Sequence, residues 1–432
     1  MAQRKLIKNQ KLFIDSLKHL VGGVNSPVRS FKYVKEEPIF IQSGKGSKIY
    51  DYDGNEYIDY VLSWGVLLLG HAHPAVVEKV KEALNLGFGF GATHKQEIEL
   101  AKLIKEAIPF IEKIRFVNSG AEAVMTAIRL ARGYTKRDKI LKFKNSYHGA
   151  IDYLLTKGGS GLATLNIASS PGVPEDFIKH TLVGKINNQD LLEKIFERYQ
   201  SQIAAVIIEP VGGNYGVTNP SLNFLKILRK LTKKYKTLLI FDEIITGFRF
   251  NFCSVAQELG IIPDLICLGK IIGGGLPIGA VGGSNKTMNQ LAPLGKVYQA
   301  STFSGNPIVM QAGVTTLENL KKYKKNYARI RSLTECLTKN IKKEAKSFRI
   351  NLKVNSYGSM FSLKFDKKIQ FEIFYKSMLK QGIYFAPSEF ETNFLSFSHN
   401  KENITKTIEA VKIAFKKMRH LALNGIAQVL SF

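Results

Sequence analysis

The 432-residue sequence has few cysteines and no long apolar run. Its three cysteines, Cys253, Cys267 and Cys336, are odd in number and form no CxxC pair, which argues against a disulfide framework and a zinc site. We expect Cys267 to be a small core residue. The longest apolar run, around residues 61–69, is too short to span a bilayer, and residues 1–20 lack the continuous apolar region of a signal peptide. We therefore expect a soluble protein in a reducing compartment, the cytoplasm.

Acidic residues are scarce beside basic ones. The chain has 35 Asp and Glu against 62 Lys and Arg, a formal charge of +27 that would attract polyanions and anionic metabolites. The lysines are scattered, however, and densest in helix-like stretches such as 319–348, and no RNP, zinc-finger or helix-turn-helix signature organises them. We interpret the excess as a solvated basic face and expect no specific nucleic-acid partner. A non-catalytic polyanion-binding protein is kept as an alternative.

Short apolar runs predict an α/β fold. The runs 203–208, 238–241 and 265–268 are typical of buried parallel strands, and helical patterns separate them. A further strand at 114–117 is followed by apolar residues at spacings of four and three, which predicts a helix directly after it. We expect a large domain with a mainly parallel central sheet flanked by helices.

The length and the ends of the chain predict a second, smaller lobe. A chain of this size is too long for one compact core of typical size, so a cleft between two lobes is expected. Residues 49–58 predict a hairpin, because apolar and aromatic residues flank the tight-turn pair Asp53-Gly54. We assign 1–60 to an N-terminal segment, 61–308 to the large domain and 309–432 to a C-terminal small domain.

Lys270 stands directly after an apolar strand and before a glycine cluster at 273–275, where a bulky ligand could approach the backbone. Burial at such a position would lower the pKa of the ammonium group and leave a neutral amine that can attack an aldehyde. Taken alone, the residue is better explained as a strand-end lysine that reaches solvent. Its neighbours in the fold decide between the two interpretations.

Asp242 supplies a carboxylate at the end of another predicted strand, the edge at which open α/β sheets bind ligands. The alternative is a helix N-cap, which would not predict Lys270 downstream. A lysine that forms a Schiff base and an acid that keeps a pyridine nitrogen protonated are the two groups that pyridoxal 5′-phosphate requires. The pair therefore predicts this cofactor.

Two weaker signals agree with the same cofactor. Ser119-Gly120-Ala121 opens the predicted helix, so its backbone N–H groups and the helix dipole could hold a phosphate. Tyr147, beside Gly149, could stack on a pyridine ring. Helix capping explains the first and core packing the second equally well in isolation.

His71-Ala72-His73 raises the question of a metal site. No carboxylate or cysteine lies nearby in the sequence to complete a ligand set, so we expect no metal there.

Taken together, these residues resemble the class III aminotransferases over nearly the whole chain. The similar segments are 23–31, 64–74, 118–123, 147–149, 209–216, 241–249, 268–279 and 301–307. The block around Lys270 identifies the class. Within it, residues 25–31 and Ala386-Pro387-Ser388 with Glu391 are similar to the branch that moves an amino group within one substrate.

The resemblance implies a PLP-dependent transferase of fold type I and a set of cofactor contacts. Lys270 would hold the cofactor as a Schiff base, Asp242 would pair with its pyridine nitrogen and Tyr147 would lie beside its ring. The phosphate would be held by Ser119, Gly120 and Ala121. Asn214 would complete the site, and in a homodimer Thr302 would reach the phosphate of the neighbouring subunit.

The resemblance also implies a substrate and a reaction. The substrate site would contain Ser26, Arg29, Trp64, Ser160 and Glu391, with residues 158–174 as a mobile lid. The reaction would be an isomerisation that converts glutamate 1-semialdehyde into 5-aminolevulinate for tetrapyrrole synthesis. It would pass through the pyridoxamine form of the cofactor and a diaminovalerate intermediate, with Lys270 as the proton shuttle.

Three positions depart from the family pattern: Val66, where proline is common, Tyr215 after Asn214, and Val281 after the glycine cluster. None removes a chemical group that the reaction needs, so we expect them to affect rate and stability. The alternative within the class is an ordinary ω-aminotransferase, which would need a 2-oxo acid as acceptor.

Overall fold

The structure, a computed structural model, describes residues 7–155 and 170–429 and contains three β-sheets. In chain order the strands are β1 (Ile41–Lys45), β2 (Lys48–Asp51), β3 (Glu56–Asp59), β4 (Lys113–Val117), β5 (Lys139–Phe143), β6 (Thr181–Gly184), β7 (Ile203–Ile208), β8 (Leu238–Asp242), β9 (Leu265–Gly269), β10 (Gly279–Gly283), β11 (Leu352–Tyr357), β12 (Met360–Phe365), β13 (Ile383–Tyr384) and β14 (Asn393–Phe394).

The central sheet has seven strands in the order β4-β10-β9-β8-β7-β5-β6. Neighbouring strands are parallel except at β10, which pairs antiparallel with both β4 and β9. Strands β7, β8 and β9 are buried along their whole length, as expected of parallel strands that are covered on both faces. The predicted mainly parallel sheet and its predicted strands are confirmed.

Helices alternate with these strands along the chain. In chain order they are α1 (Ile7–His19), α2 (Pro74–Leu84), α3 (Lys95–Ala107), α4 (Gly120–Thr135), α5 (Glu175–Ile178), α6 (Gln189–Tyr199), α7 (Leu222–Lys234), α8 (Val255–Leu259), α9 (Asn285–Met288), α10 (Pro307–Lys322), α11 (Lys325–Ser347), α12 (Lys368–Lys380) and α13 (Lys401–Val429).

Alternate strand residues pack against helices on opposite faces of the sheet. Ile207 lies in the same apolar cluster as Ile128 of α4, whereas its neighbour Val206 clusters with Leu228 of α7. Cys267 is fully buried in β9 within the first of these clusters, as predicted.

A four-stranded sheet, β1-β2-β3-β13, joins the two ends of the chain. Its β2–β3 hairpin, with Ile49 opposite Tyr57, confirms the hairpin predicted around Asp53-Gly54. The Asp53 carboxylate also accepts hydrogen bonds from the Lys8 and Asn9 backbone N–H groups at 2.8 and 2.9 Å, which caps the start of α1. β13 pairs with β3 across more than 300 residues, with Ile383 opposite Ile58.

The third sheet, β11-β12-β14, and helices α11, α12 and α13 build the C-terminal part of the described chain. Together with the four-stranded sheet this agrees with a small lobe made from both chain ends. The boundaries at residues 60 and 308 stay a prediction. None of the helices in the two described ranges combines the length and the apolar character that a membrane crossing requires.

Candidate active site

Strands β4, β5, β7, β8 and β9 run in one direction, so their carboxyl ends meet at one edge of the central sheet. A cavity of about 380 Å³ opens at this edge. It is lined by Val66, Asn118, Ser119, Gly120, Ala121, Tyr147, Gly149, Asn214, Asp242, Ile244, Ile245, Lys270, Leu276, Pro277 and Ile278. Lys270 and six other residues predicted to contact the cofactor thus line the same cavity.

Lys270 follows β9 directly, in a left-handed backbone conformation with a φ of 47°. Its Nζ donates a hydrogen bond to the backbone oxygen of Trp64 at 2.9 Å. Burial, and after it the positive charge of Arg249, lowers the pKa of the Lys270 amine to about 8. At pH 7 about a tenth of the amine is therefore uncharged and able to act as a nucleophile or a base.

Asp242 ends β8 and is 5% exposed. One carboxylate oxygen shares a hydrogen bond with Nδ1 of His148 at 2.8 Å, and the other accepts the N–H of Ile244 at 3.1 Å. The second nitrogen of His148, Nε2, is buried without a hydrogen-bond partner in the described chain. These contacts fix the carboxylate at the bottom of the cavity.

Helix α4 begins at the cavity, where Ser119 is its N-cap and accepts the N–H of Glu122 at 3.1 Å. Within the described residues no hydrogen bond uses the N–H groups of Gly120 and Ala121. Two free donors and the positive end of the helix dipole favour an anion at this position. A Cβ on Gly149, which has a φ of 90°, would lie 2.7 Å from Ala121, so only glycine lets the Tyr147 loop approach the helix start.

Glu209, directly after β7, organises the opposite wall. Its carboxylate accepts the N–H of Tyr147 at 3.3 Å, the N–H of Gly213 at 3.0 Å and the side-chain amide of Asn214 at 2.9 Å. Burial raises the pKa of Glu209. The carboxylate thereby sets the positions of two residues that line the cavity, Tyr147 and Asn214.

Sequence reasoning missed three residues that build this site, His148, Glu209 and Arg249. Glu209 had a usable signal, since it directly follows a buried strand, much as Asp242 ends one. His148 and Arg249 had none, because their contacts join segments far apart in the chain.

The other predicted site residues that the structure describes do not line the cavity, and two of them, Trp64 and Glu391, act on it through Lys270 or Tyr147. Ser26 and Arg29 lie at the 3₁₀ turn Pro27–Ser30, Thr302 is exposed on a loop, and none of the three lines the cavity. Trp64 contributes its backbone oxygen to Lys270. Glu391 is near enough for its charge to raise the pKa of Lys270 and, after burial, that of Tyr147. Ser160, and residues 158–169 of the predicted lid, lie outside the described residues.

The structure also shows the surroundings of His71 and of the three positions that depart from the family pattern. His71 Nε2 bonds to the carboxylate of Asp59 at 2.7 Å, a partner twelve residues away in sequence. In the described ranges no group of three metal-ligating side chains is found. Val66 lines the cavity, Tyr215 packs on Phe390 with ring centroids 5.1 Å apart, and Val281 is buried in β10.

The cavity fits pyridoxal 5′-phosphate by its donors, acceptors and size. Free N–H groups at the start of α4 suit a phosphate, Asp242 offers an acceptor to a ring nitrogen, and Lys270 offers an amine to an aldehyde. A volume of about 380 Å³ lies in the range usual for small-molecule sites.

Comparison with known proteins places this geometry in a family. Residues 31–415 match the model of the class III aminotransferases. The chain is 49% identical to the glutamate-1-semialdehyde 2,1-aminomutase of Thermodesulfovibrio yellowstonii, over 96% of this chain and all of the relative.

Solved structures agree. A transaminase with PLP bound is 28% identical and superposes with a TM-score of 0.89 over 96% of this chain and 99% of the other. An omega-transaminase from Sphaerobacter thermophilus is 29% identical, with a TM-score of 0.84 over 94% and 97%. The predicted fold is therefore confirmed as that of the PLP-dependent transaminases. The chain belongs to the class III aminotransferase family and, within it, to the glutamate-1-semialdehyde 2,1-aminomutases.

Proposed function

We propose that this chain is an isomerase that converts glutamate 1-semialdehyde into 5-aminolevulinate, by moving the amino group from C2 to C1 without an external amino donor. The relatives at 48–49% identity carry the name of this reaction, whereas the omega-transaminase structure is 29% identical. One observation supports the amino-transfer chemistry of the proposal: the Lys270 amine, the Asp242 carboxylate and the free N–H groups of Gly120 and Ala121 line the same cavity. Because the chain belongs to a family of enzymes, the alternative of a non-catalytic polyanion-binding protein is not retained.

The cofactor is pyridoxal 5′-phosphate, which supplies an aldehyde that carries the amino group and a ring that withdraws electrons from the reacting carbon. Ser119, Gly120 and Ala121 would hold its phosphate. Asp242 would accept a hydrogen bond from its protonated ring nitrogen, and Tyr147 and Asn214 would border its ring.

Lys270 provides the proton transfers. Its Nζ would carry protons between the substrate and C4′ of the cofactor, first to the substrate carbon that receives the amino group and later from the substrate carbon that gives it up. A general base works best when its pKa lies near the working pH, and burial brings the Lys270 amine to about 8. The hydrogen bond to Trp64 holds Nζ at the cavity between transfers.

Asp242 and Glu209 orient the groups around the reacting atoms. His148 and the N–H of Ile244 keep the Asp242 carboxylate in one position, so it can hold a ring proton throughout the cycle. Glu209 keeps Tyr147, Gly213 and Asn214 in place through one hydrogen bond to each.

Substrate contacts are proposed for Ser26, Arg29, Trp64, Ser160 and Glu391. Arg29 would supply a guanidinium group for the substrate carboxylate.

The active form is proposed to be a cytoplasmic homodimer in which Thr302 contacts the phosphate site of the neighbouring subunit. Phe88 and Phe303 are 73% and 70% exposed on adjacent loops, which are joined by a 2.7 Å hydrogen bond from Asn306 to the Phe88 oxygen. Exposed aromatic side chains grouped in this way are typical of a protein interface. Thr302 lies beside Phe303, at the same surface.

The reaction is tested by incubating the purified chain with glutamate 1-semialdehyde in the absence of any amino donor or 2-oxo acid, while the absorbance of the cofactor is followed. We expect 5-aminolevulinate to form at an unchanged rate when a 2-oxo acid is added. Formation only in the presence of a 2-oxo acid would instead identify an ordinary ω-aminotransferase.

The dimer is tested with mixed subunits of Lys270→Ala and Thr302→Ala. If Thr302 acts across the interface, a mixed dimer contains one site with both native residues and regains native cofactor affinity and activity at that site. If Thr302 acts within its own subunit, every site lacks one residue and mixing restores nothing.

A further inference from the structure

A left-handed turn lies beside the catalytic lysine. Leu62, Ser63, Trp64 and Gly65 all have positive φ angles between 49° and 83°, a conformation that non-glycine residues rarely adopt in succession. Such a turn persists only when its surroundings determine it. Asp59 fixes its start, because its carboxylate accepts the N–H groups of Val61 and Leu62.

Two cations fix the other end of the turn. Lys270 Nζ donates to the Trp64 oxygen, and Nη2 of Arg249 donates to the oxygen of the next residue, Gly65. A Cβ on Gly65 would lie 3.0 Å from Nη2 and 2.8 Å from the Phe394 ring, so the close approach of Arg249 requires glycine. The catalytic amine and the guanidinium group are thereby held on adjacent carbonyls of one turn.

Arg249 is the largest fully buried side chain of the described residues, with 0% exposure. Its Nε donates to the Ile245 oxygen at 2.6 Å, and the guanidinium carbon lies 4.7 Å from the centre of the Phe394 ring. Nη1 is buried without a hydrogen-bond partner, and no carboxylate in the described chain lies within ion-pair distance of the group. Burying a charge without an ion pair is costly, which indicates a role beyond packing.

We propose that Arg249 is a positioning residue of the active site: through the turn Leu62–Gly65 it places an uncompensated positive charge beside Lys270 and so favours the uncharged form of the catalytic amine. The proposal rests on the function assigned above to Lys270. It adds a residue that touches neither substrate nor cofactor and that acts through the turn and through its charge.

The charges around Lys270 explain why such a residue is needed. Glu391, Glu209 and Asp242 face the amine and each favours its protonated form. Burial opposes them, and the Arg249 charge is the other influence in the same direction. Tyr327 faces Arg249, and its charge would favour the charged guanidinium, but burial raises the pKa of that phenol far above neutrality, so it stays uncharged.

The experiment compares Arg249→Met with Arg249→Lys in the full chain freed of cofactor. Acetic anhydride labels uncharged amines, and the label on the Lys270 peptide is quantified by mass spectrometry against pH. We expect a wild-type midpoint near 8, and for Arg249→Met a midpoint at higher pH, with labelling at pH 7 about tenfold slower. Arg249→Lys keeps the charge and should stay near the wild type.

Controls separate charge from structure. Arg329→Met removes another arginine that donates to backbone oxygens, those of Phe397 and His399, and should leave the midpoint unchanged. Arg249→Gln is neutral but can still donate to Ile245, and it replaces Arg249→Met if that variant does not fold. An unchanged midpoint in the neutral variant, or equal shifts in the neutral and lysine variants, overturns the proposal. Labelling does not require turnover, so its outcome is independent of the donor-free assay.

Discussion

Replacing Asp242 by asparagine tests the centre of the site, because the change keeps the shape of the side chain and removes its charge. The hydrogen bond that Asp242 shares with His148 at 2.8 Å involves a charged group, and bonds of this type contribute about 1.5–3 kcal/mol. A similar loss at the ring nitrogen of the cofactor raises the reaction barrier by that amount. Since about 1.4 kcal/mol corresponds to a tenfold change in rate, we expect kcat to fall about 10-fold to 100-fold.

The same substitution, Asp242→Asn, should also change the pKa of Lys270 in a defined direction. The Asp242 charge favours the protonated form of Lys270, so its removal lowers the pKa of that amine further below 8. The amine then loses its proton at lower pH, and the acidic limb of the kcat profile moves to lower pH. The assay is donor-free formation of 5-aminolevulinate measured from pH 6 to 9, with the cofactor saturating.

Asp264→Asn is the matched control. This aspartate also accepts hydrogen bonds, from Arg229 at 2.7 Å and from the N–H of Leu239 at 2.7 Å, but it lies at the opposite end of the sheet strands from the cavity. We expect it to lower thermal stability without moving the pH profile. A wild-type kcat in Asp242→Asn, or an acidic limb displaced to higher pH, would refute the role given to this carboxylate.

Three further outcomes are expected. Lys270→Ala should abolish turnover while the protein still binds the cofactor without a covalent bond, as measured by absorbance and equilibrium dialysis; full activity would contradict the mechanism. Gly149→Ala should weaken cofactor affinity at least tenfold, because the new Cβ would lie 2.7 Å from Ala121 at the start of the phosphate-binding helix; titration of cofactor-free protein measures this. Burial raises the pKa of Glu243 from 4.5 to about 7, so the folded state binds more protons than the unfolded state between these values. The free energy of unfolding should therefore fall by about 3 kcal/mol as pH rises through that window, and Glu243→Gln should lack this slope in denaturant titrations.

The sequence predicted those parts of the site that local patterns determine. Lys270 and Asp242 each follow a short buried apolar run, and parallel strands bring such ends to one edge, so their convergence followed from pattern and topology. The start of α4 was predictable for the same reason, since its strand, turn and helix are contiguous in sequence.

The remaining parts depend on tertiary contacts that override local preference. Nothing in Leu62-Ser63-Trp64 predicts a left-handed turn, because these residues avoid positive φ in isolation. The turn forms since Asp59, Lys270 and Arg249 bind its backbone from separate parts of the chain. The hydrogen bond between His148 and Asp242 likewise spans 94 residues and leaves no trace in sequence spacing.

The pairing of β3 with β13 sets a lower limit on how soon the four-stranded sheet can be completed while the chain is being synthesised. Asp59 pairs with Tyr384, so the outer edge of β3 stays open until some 325 further residues have been added. At translation rates of about 5–20 residues per second this takes tens of seconds. During that interval the unpaired edge of β3 is exposed and can pair with strands of other chains.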